Sequence, residues 1–298
     1  MEQVCPRLIL VTAVPITSDT MGAVLSKIPG VDRKKTQIPV ADGTETWIYT
    51  PDGAQGPLPY IFYVHGGGFI AGSISVYDPI ATDLVLRTGY ALVFPEYKLA
   101  PEAQWPEQQE QCFRVLQWIT QHGRNHNLIN DKFAIVGDSA GGVLLSNMNI
   151  MAYQTDLKIP YNVLLSPLAC LDYTGQPTGS QLEFWNGPFL TGPVMSKFID
   201  AYLPASVNRA SELVSPCNMS ETTARAFAPT LIITSSADIL RDGAEALVEV
   251  LQKAGCEAVL FRAHGQMHDT AVLEGTRNGP TPRTIMTLIA AVLRQRLG

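Results

Sequence analysis

From Thr44 onward the chain alternates two kinds of apolar pattern. Short runs rich in β-branched and aromatic residues, TETWIYT, YIFYVHG, ALVFPEY, FAIVGD, YNVLLS, TLIITS and AVLFRA, predict strands. Between them lie longer segments with helical spacing. Pro106 to Gln121 places Cys112, Val115, Leu116 and Ile119 on one face, opens on proline at a first-turn position and stops at Gly123. Gly243 to Ala254 and Pro282 to Leu297 repeat the scheme, the second with a stripe of Ile285, Leu288, Ile289, Val292 and Leu293. Strand and helix in alternation predict an α/β fold, a mostly parallel sheet flanked by helices.

One segment breaks the alternation. Residues 167–229 hold turn residues, two aromatic clusters and one clear helical stretch, PVMSKFIDAY. So long a departure between two strands predicts a cap inserted on the core, so that residues 1–298 form a single domain with a lid.

Composition narrows the classes. With 46% hydrophobic and 16% charged residues the chain can bury a large core. The net charge of -6 has no long single-sign run behind it, which argues against nucleic acid as a partner. Cys5, Cys112, Cys170, Cys217 and Cys256 are odd in number, far apart and without CxxC or histidine spacing, so they are expected to be reduced. The apolar stretch Leu8 to Ile16 follows an acidic second residue, is interrupted by Pro15 and lacks a small-residue cleavage pattern. No run approaches the roughly 18 apolar residues of a membrane span. The expectation is a soluble, cytoplasmic protein without a metal or organic cofactor.

The chemistry gathers around FAIVGDSAGG, residues Phe133 to Gly142. Gly137, Ser139 and Gly141 form Gly-x-Ser-x-Gly at a strand-to-helix junction, where a strained turn exposes a nucleophile and small neighbours let strand and helix approach. A tight turn that merely needs glycine would give the same letters, so the motif requires partners. YVHGGGFIAG supplies three consecutive glycines, Gly66 to Gly68, after an earlier strand. Amides of Gly67 and Gly68, with that of Ala140 after the serine, are the candidate oxyanion hole. A serine hydroxyl needs a base, and the base needs an orienting carboxylate. FRAHGQMHDT offers His268, with His264 as its rival, whereas His122 and His126 read as solvated residues at a helix end. SADILRDGAEAL offers Asp238 directly after a strand, and Asp242 suits a helix N-cap. The chain order Ser139, Asp238, His268 is that of an α/β hydrolase.

With HGGGF, EYKLAPE, GDSAGG and SADILRDGAEAL in this order, the chain resembles the hormone-sensitive lipase-like esterases, from about Ile38 to the C-terminus. The resemblance implies the α/β-hydrolase fold with an eight-stranded sheet. It implies Ser139 as nucleophile, His268 as base, Asp238 as acid and Gly67, Gly68 and Ala140 as oxyanion donors. It also implies a cap built from about residues 1–35 together with 167–229, and pairing of two chains into a homodimer through the last strand and helix. Three positions depart from the family pattern: Asp269 and Thr270 follow the base, Lys98 stands where arginine is frequent, and the portion before His65 is short.

Cap aromatics and their neighbours give a candidate substrate pocket of Phe69, Asp138, Phe184, Trp185, Phe189, Met195 and Phe198. A helical stripe such as Val194 and Phe198 serves packing equally well. No charged recognition group stands out in the cap, so the expected substrate is a small carboxylic ester with an uncharged, short to medium acyl group. Two other functions share the scaffold. One is a pathway-dedicated enzyme acting on a lactone, amide, thioester or complex natural-product ester, and the other is a non-catalytic small-molecule receptor.

Overall fold

The runs YIFYVHG, ALVFPEY, FAIVGD, YNVLLS and TLIITS have buried side chains on both faces, which suits the interior of a sheet covered by helices on either side. In the computed structural model, which describes residues 29–40, 43–172 and 179–298, these runs lie in one eight-stranded sheet. The strands are β1 (Val31–Gln37), β2 (Glu45–Pro51), β3 (Leu58–Val64), β4 (Ala91–Pro95), β5 (Leu128–Asp138), β6 (Asn162–Leu165), β7 (Thr230–Ala237) and β8 (Ala258–Met267). Their spatial order is β1-β2-β4-β3-β5-β6-β7-β8. The first two pairings, β1 with β2 and β2 with β4, are antiparallel, and all the others are parallel.

Strand β1 carries no apolar run. Its sequence VDRKKTQ is an edge strand with mostly exposed side chains, so the hydrophobic pattern did not reveal it. Arg33 nevertheless turns inward, with its Nε 2.7 Å from Asp78 Oδ1, and the Tyr49 hydroxyl donates to the same carboxyl at 2.8 Å. Residues 31–35, expected in the cap, therefore belong to the sheet edge. The apolar stretch Leu8 to Ile16 and Cys5 lie outside the described residues.

Successive strand residues point to opposite faces, and the core divides accordingly. On one face Tyr60, Phe62, Ile135, Leu164 and Ile232 meet α2 (Glu107–His122), α3 (Gly141–Gln154) and α7 (Arg241–Lys253). On the other, Ile61, Tyr63, Val136, Val163 and Ile233 meet α1 (Ile74–Thr88) and α8 (Pro280–Leu297). Over the first face lie the short α4 (Gly179–Glu183), α5 (Gly192–Tyr202) and α6 (Glu221–Ala224). Among the described residues no helix is long and apolar enough to cross a membrane.

The cysteine expectation needs correcting. Cys170 and Cys217 form a disulfide across 47 residues of sequence, with Cα atoms 5.5 Å apart, while Cys112 and Cys256 keep their thiols. Spacing along the chain carried no sign of a pair that only the folded loop after β6 brings together. Asp242 is corrected as well. The N-cap of α7 is Leu240, and Asp242 lies inside the first turn, where its carboxylate accepts the Ser180 amide at 2.7 Å and so ties α4 to α7.

Two local constraints make stability predictions. The ends of β3 and β5 approach so closely that a Cβ on Gly141 would overlap the Val64 carbonyl oxygen. Backbone cannot swing aside as a side chain can, so Gly141→Ala is expected to cost about 3 kcal/mol or more, read by urea unfolding. His65, just past β3, is fully buried and stacks between Phe94 and Tyr97, with ring centroids 5.2 and 4.2 Å away. Burial pushes its pKa down to about 4. The folded state thus binds fewer protons than the unfolded chain, and this group's contribution is complete above about pH 6.5 and lost as pH falls toward 4. The stability advantage of the wild type over His65→Asn should shrink by roughly 3 kcal/mol across that window in paired unfolding titrations.

Candidate active site

The parallel strands end on one side of the sheet, and three of those ends supply the chemistry. Ser139 follows β5 at φ 48°, a left-handed conformation that a serine adopts only under local constraint. Its amide donates to the Leu165 carbonyl at 3.0 Å, and its carbonyl accepts from the amides of Gly142 and Leu168. These three bonds hold the strained turn. The Ser139 hydroxyl lies 2.9 Å from His268 Nε2, and His268 Nδ1 lies 2.8 Å from Asp238 Oδ2. Asp238 follows the last residue of β7 and His268 that of β8. The other Asp238 oxygen accepts the Leu240 amide at 3.0 Å, which fixes the carboxylate toward the imidazole.

His264, the rival base, sits within β8 with its side chain exposed, away from this group. His122 and His126 lie at the end of α2 and in the turn after it, packed against Trp118.

The glycine loop faces the serine. Gly67 and Gly68 have φ of 95° and 63°, and the Gly67 carbonyl accepts the amides of Ile70 and Ala71, which curls the loop. The amides of Gly67, Gly68 and Ala140 donate to no group among the described residues, and all three residues line the same cavity as Ser139. A Cβ at Gly68 would enter the Phe198 ring, and one at Gly67 would meet the Ala71 carbonyl. Glycine is required at both positions by space as well as by backbone conformation.

The cavity has a volume of about 640 Å³. Phe189, Leu190, Val194, Met195 and Phe198 line one side, and Val272, Leu273 and Tyr77 line another. Of the pocket residues expected from sequence, Phe189, Met195 and Phe198 are there. The other four are not. Phe69 is fully buried and stacked on Tyr202 at 3.7 Å, Phe184 lies under the Arg241 guanidinium, and the Trp185 ring packs on Gly192. Asp138 points behind the serine, where it accepts hydrogen bonds from Tyr63 at 2.9 Å, Tyr77 at 2.8 Å and the Gly66 amide at 3.1 Å. Residue type alone marks an aromatic as able to line a pocket, and the direction of its side chain decides whether it does. Tyr77 escaped notice because α1 was not legible, with Pro79 inside it and apolar residues around most of its circumference.

Asp269 completes the group. It follows His268 at φ 52°, and its Oδ2 lies 3.1 Å from His268 Nε2. Its other oxygen is buried without a hydrogen-bond partner among the described residues. Burial opposes a charge on His268, but the carboxylates of Asp238 and then Asp269 outweigh it and hold the imidazole pKa well above its usual value. Burial pushes the Asp269 carboxyl up. Asp138 is raised too, first by burial and next by the charge of Asp269.

The architecture can be set beside known proteins. The family described as alpha/beta hydrolase fold matches residues 61–272. An esterase of Gibberella moniliformis is 36% identical over 242 residues, which cover 80% of this chain and 75% of that protein. The crystal structure of carboxyl esterase 2 from Tuber melanosporum superposes with a TM-score of 0.86 at 27% identity, covering 92% of this chain and 88% of that one. One of two fungal esterases from Rhizomucor miehei gives 0.84 at 29% identity, over 93% and 88%. Fold, motif order and these likenesses together place the chain in the hormone-sensitive lipase-like branch of the α/β-hydrolase superfamily.

Proposed function

We propose that the protein is a carboxylic ester hydrolase that works through an acyl-enzyme on Ser139. The observation that carries the reading is the unbroken chain of hydrogen bonds from Ser139 through His268 to Asp238. In this reading the Ser139 oxygen attacks the ester carbonyl while His268 Nε2 takes its proton. The Asp238 carboxylate holds the ring tautomer with Nδ1 protonated and balances the imidazolium. The carbonyl oxygen gathers negative charge where the amides of Gly67, Gly68 and Ala140 stand free to donate. His268 then gives the proton to the departing alcohol oxygen. Water, activated by the same imidazole, releases the acid.

The cap would be made by residues 167–229, whose α5 segment supplies the apolar wall above the serine. A volume of about 640 Å³ falls within the range of small-molecule sites, roughly 300–1,000 Å³. Among the described residues no lysine or arginine lines it, which speaks against an anionic acyl group, and the volume suits an acyl group of short to medium length.

Replacing Ser139 by alanine should lower kcat/KM for p-nitrophenyl butyrate by about 10⁴-fold or more and abolish labelling by a fluorophosphonate. A folded wild-type protein that resists the label would sink the reading. Strong labelling with near silence toward simple esters would instead point to a dedicated substrate. Biological activity that survives Ser139→Ala would favour a receptor. Gly68→Ala should reduce kcat on the order of 10²-fold and also lower the unfolding midpoint, because the new methyl both meets the Phe198 ring and displaces one oxyanion donor. Steady-state kinetics beside thermal unfolding separates the two effects.

A further inference from the structure

His268 has a carboxyl group at each of its nitrogens. Asp238 lies 2.8 Å from Nδ1, Asp269 lies 3.1 Å from Nε2, and Nε2 also faces the Ser139 hydroxyl at 2.9 Å. A neutral imidazole cannot satisfy this arrangement. With its one N–H donated to Asp238, it presents only a lone pair at Nε2, and an ionised Asp269 would set a second lone pair against it. A proton on the line from Nε2 to Asp269 Oδ2 removes the conflict. It makes the pair either imidazolium and carboxylate or imidazole and carboxylic acid, two descriptions with the same proton count. In neither can Nε2 accept the Ser139 proton.

We infer that Asp269 is a positioning residue that holds a proton at His268 Nε2, so that the site becomes active only when this proton leaves to solvent. The inference rests on the hydrolase reading above. Once the proton is gone, His268 is neutral and Asp269 ionised. Attack by Ser139 then forms the bond from Oγ to the acyl carbon and moves the carbonyl π electrons to oxygen. The hydroxyl proton passes to Nε2. Asp269 now faces an N–H that is positively charged and stabilises it until the proton moves to the leaving oxygen. The residue therefore has opposite effects on the two states of the ring: it blocks the protonated resting state and strengthens the base of the active one.

The groups around the pair favour retention of the proton. Asp238 stands at the end of β7 and Asp138 at the end of β5, both buried, and Glu274 lies at the exposed rim of the cavity. Tyr63 from β3 and Tyr77 from α1 donate to Asp138 and are kept neutral by burial. Among the described residues no lysine or arginine lines the cavity to draw the proton off. Among the described residues the second oxygen of Asp269 has neither donor nor water-accessible surface to support a lasting negative charge. The raised pKa of His268 has the direction expected.

The test is the pH dependence of two readouts, kcat/KM for p-nitrophenyl butyrate and the rate of fluorophosphonate labelling at Ser139. Wild type, Asp269→Asn and Asp269→Glu are compared. The Asn variant should shift the midpoint of the acid limb down by about one unit or more, so that one unit below the wild-type midpoint its rate relative to plateau is several-fold higher. Its plateau should fall by roughly 5- to 30-fold, since the imidazolium loses a partner worth about 1–2 kcal/mol in the transition state. Asp269→Glu should keep the wild-type midpoint. A plateau that falls with no movement of the midpoint would mean that Asp269 only packs the loop, and the proposal would be wrong.

Should the Asn variant not fold, the His268 ring of the wild type can be titrated by NMR. A midpoint above about 7 supports the held proton, and one at or below about 6.5, the unperturbed value, overturns it. Absence of labelling at every pH in folded wild type would remove the hydrolase reading itself. Labelling with an unmoved midpoint would remove only the role of Asp269.

Discussion

The Asp138 carboxyl accepts hydrogen bonds from Tyr63, Tyr77 and the Gly66 amide, and through them the end of β5, the glycine loop after β3 and helix α1 are fixed to one another. Ser139 is the next residue. Its left-handed turn, its aim toward His268 and the distance to the free amides of Gly67 and Gly68 all depend on that junction. Each of these three hydrogen bonds in a dry interior contributes about 1 kcal/mol, and without them the buried carboxyl would be left unpaired at a larger cost. The close passage of Gly141 beside the Val64 carbonyl is the steric side of the same constraint. Strand ends that were not this near could not share one carboxyl.

Around this junction the site concentrates carboxyl groups. Asp138, Asp238 and Asp269 are all buried, and among the described residues His268 is the one basic side chain of the cavity lining. The three carboxyls are made tolerable by different means. Asp138 has three donors, and Asp238 has the imidazole and the Leu240 amide. Asp269 has only the imidazole nitrogen that also serves Ser139. Asp269 is thus the carboxyl whose charge depends most directly on the state of the base. A residue that looks from sequence like a neighbour of the histidine becomes, in space, a competitor for its proton.

Away from the chemistry, the fold relies on ordinary division of labour. Residues along β3 and β5 alternate between two cores, and the helices of each face cover one of them. The edge strand β1 is held by the buried pair of Arg33 and Asp78, since it has little apolar surface of its own. The wall above the serine comes from α5 and the residues before it, whose neighbouring aromatics divide between cavity and packing.

The sequence alone determined the periodic features and the chemistry that adheres to them. Central strands buried on both faces must be continuous apolar runs, edge strand β8 shows such a run although much of it is exposed, and a serine turn between crowded backbones must carry glycine at Gly137 and Gly141. For that reason seven of the eight strands, the serine turn, the glycine loop and the order of serine, aspartate and histidine were legible. Tertiary structure decided what depends on direction across the chain. Whether Phe184 faces cavity or Arg241, whether Cys170 meets Cys217, and that Asp269 Oδ2 comes to Nε2 of His268 follow from which surfaces the packed core leaves opposite each other. Such contacts join residues whose spacing along the chain has no period, and only the folded core sets the distance between them.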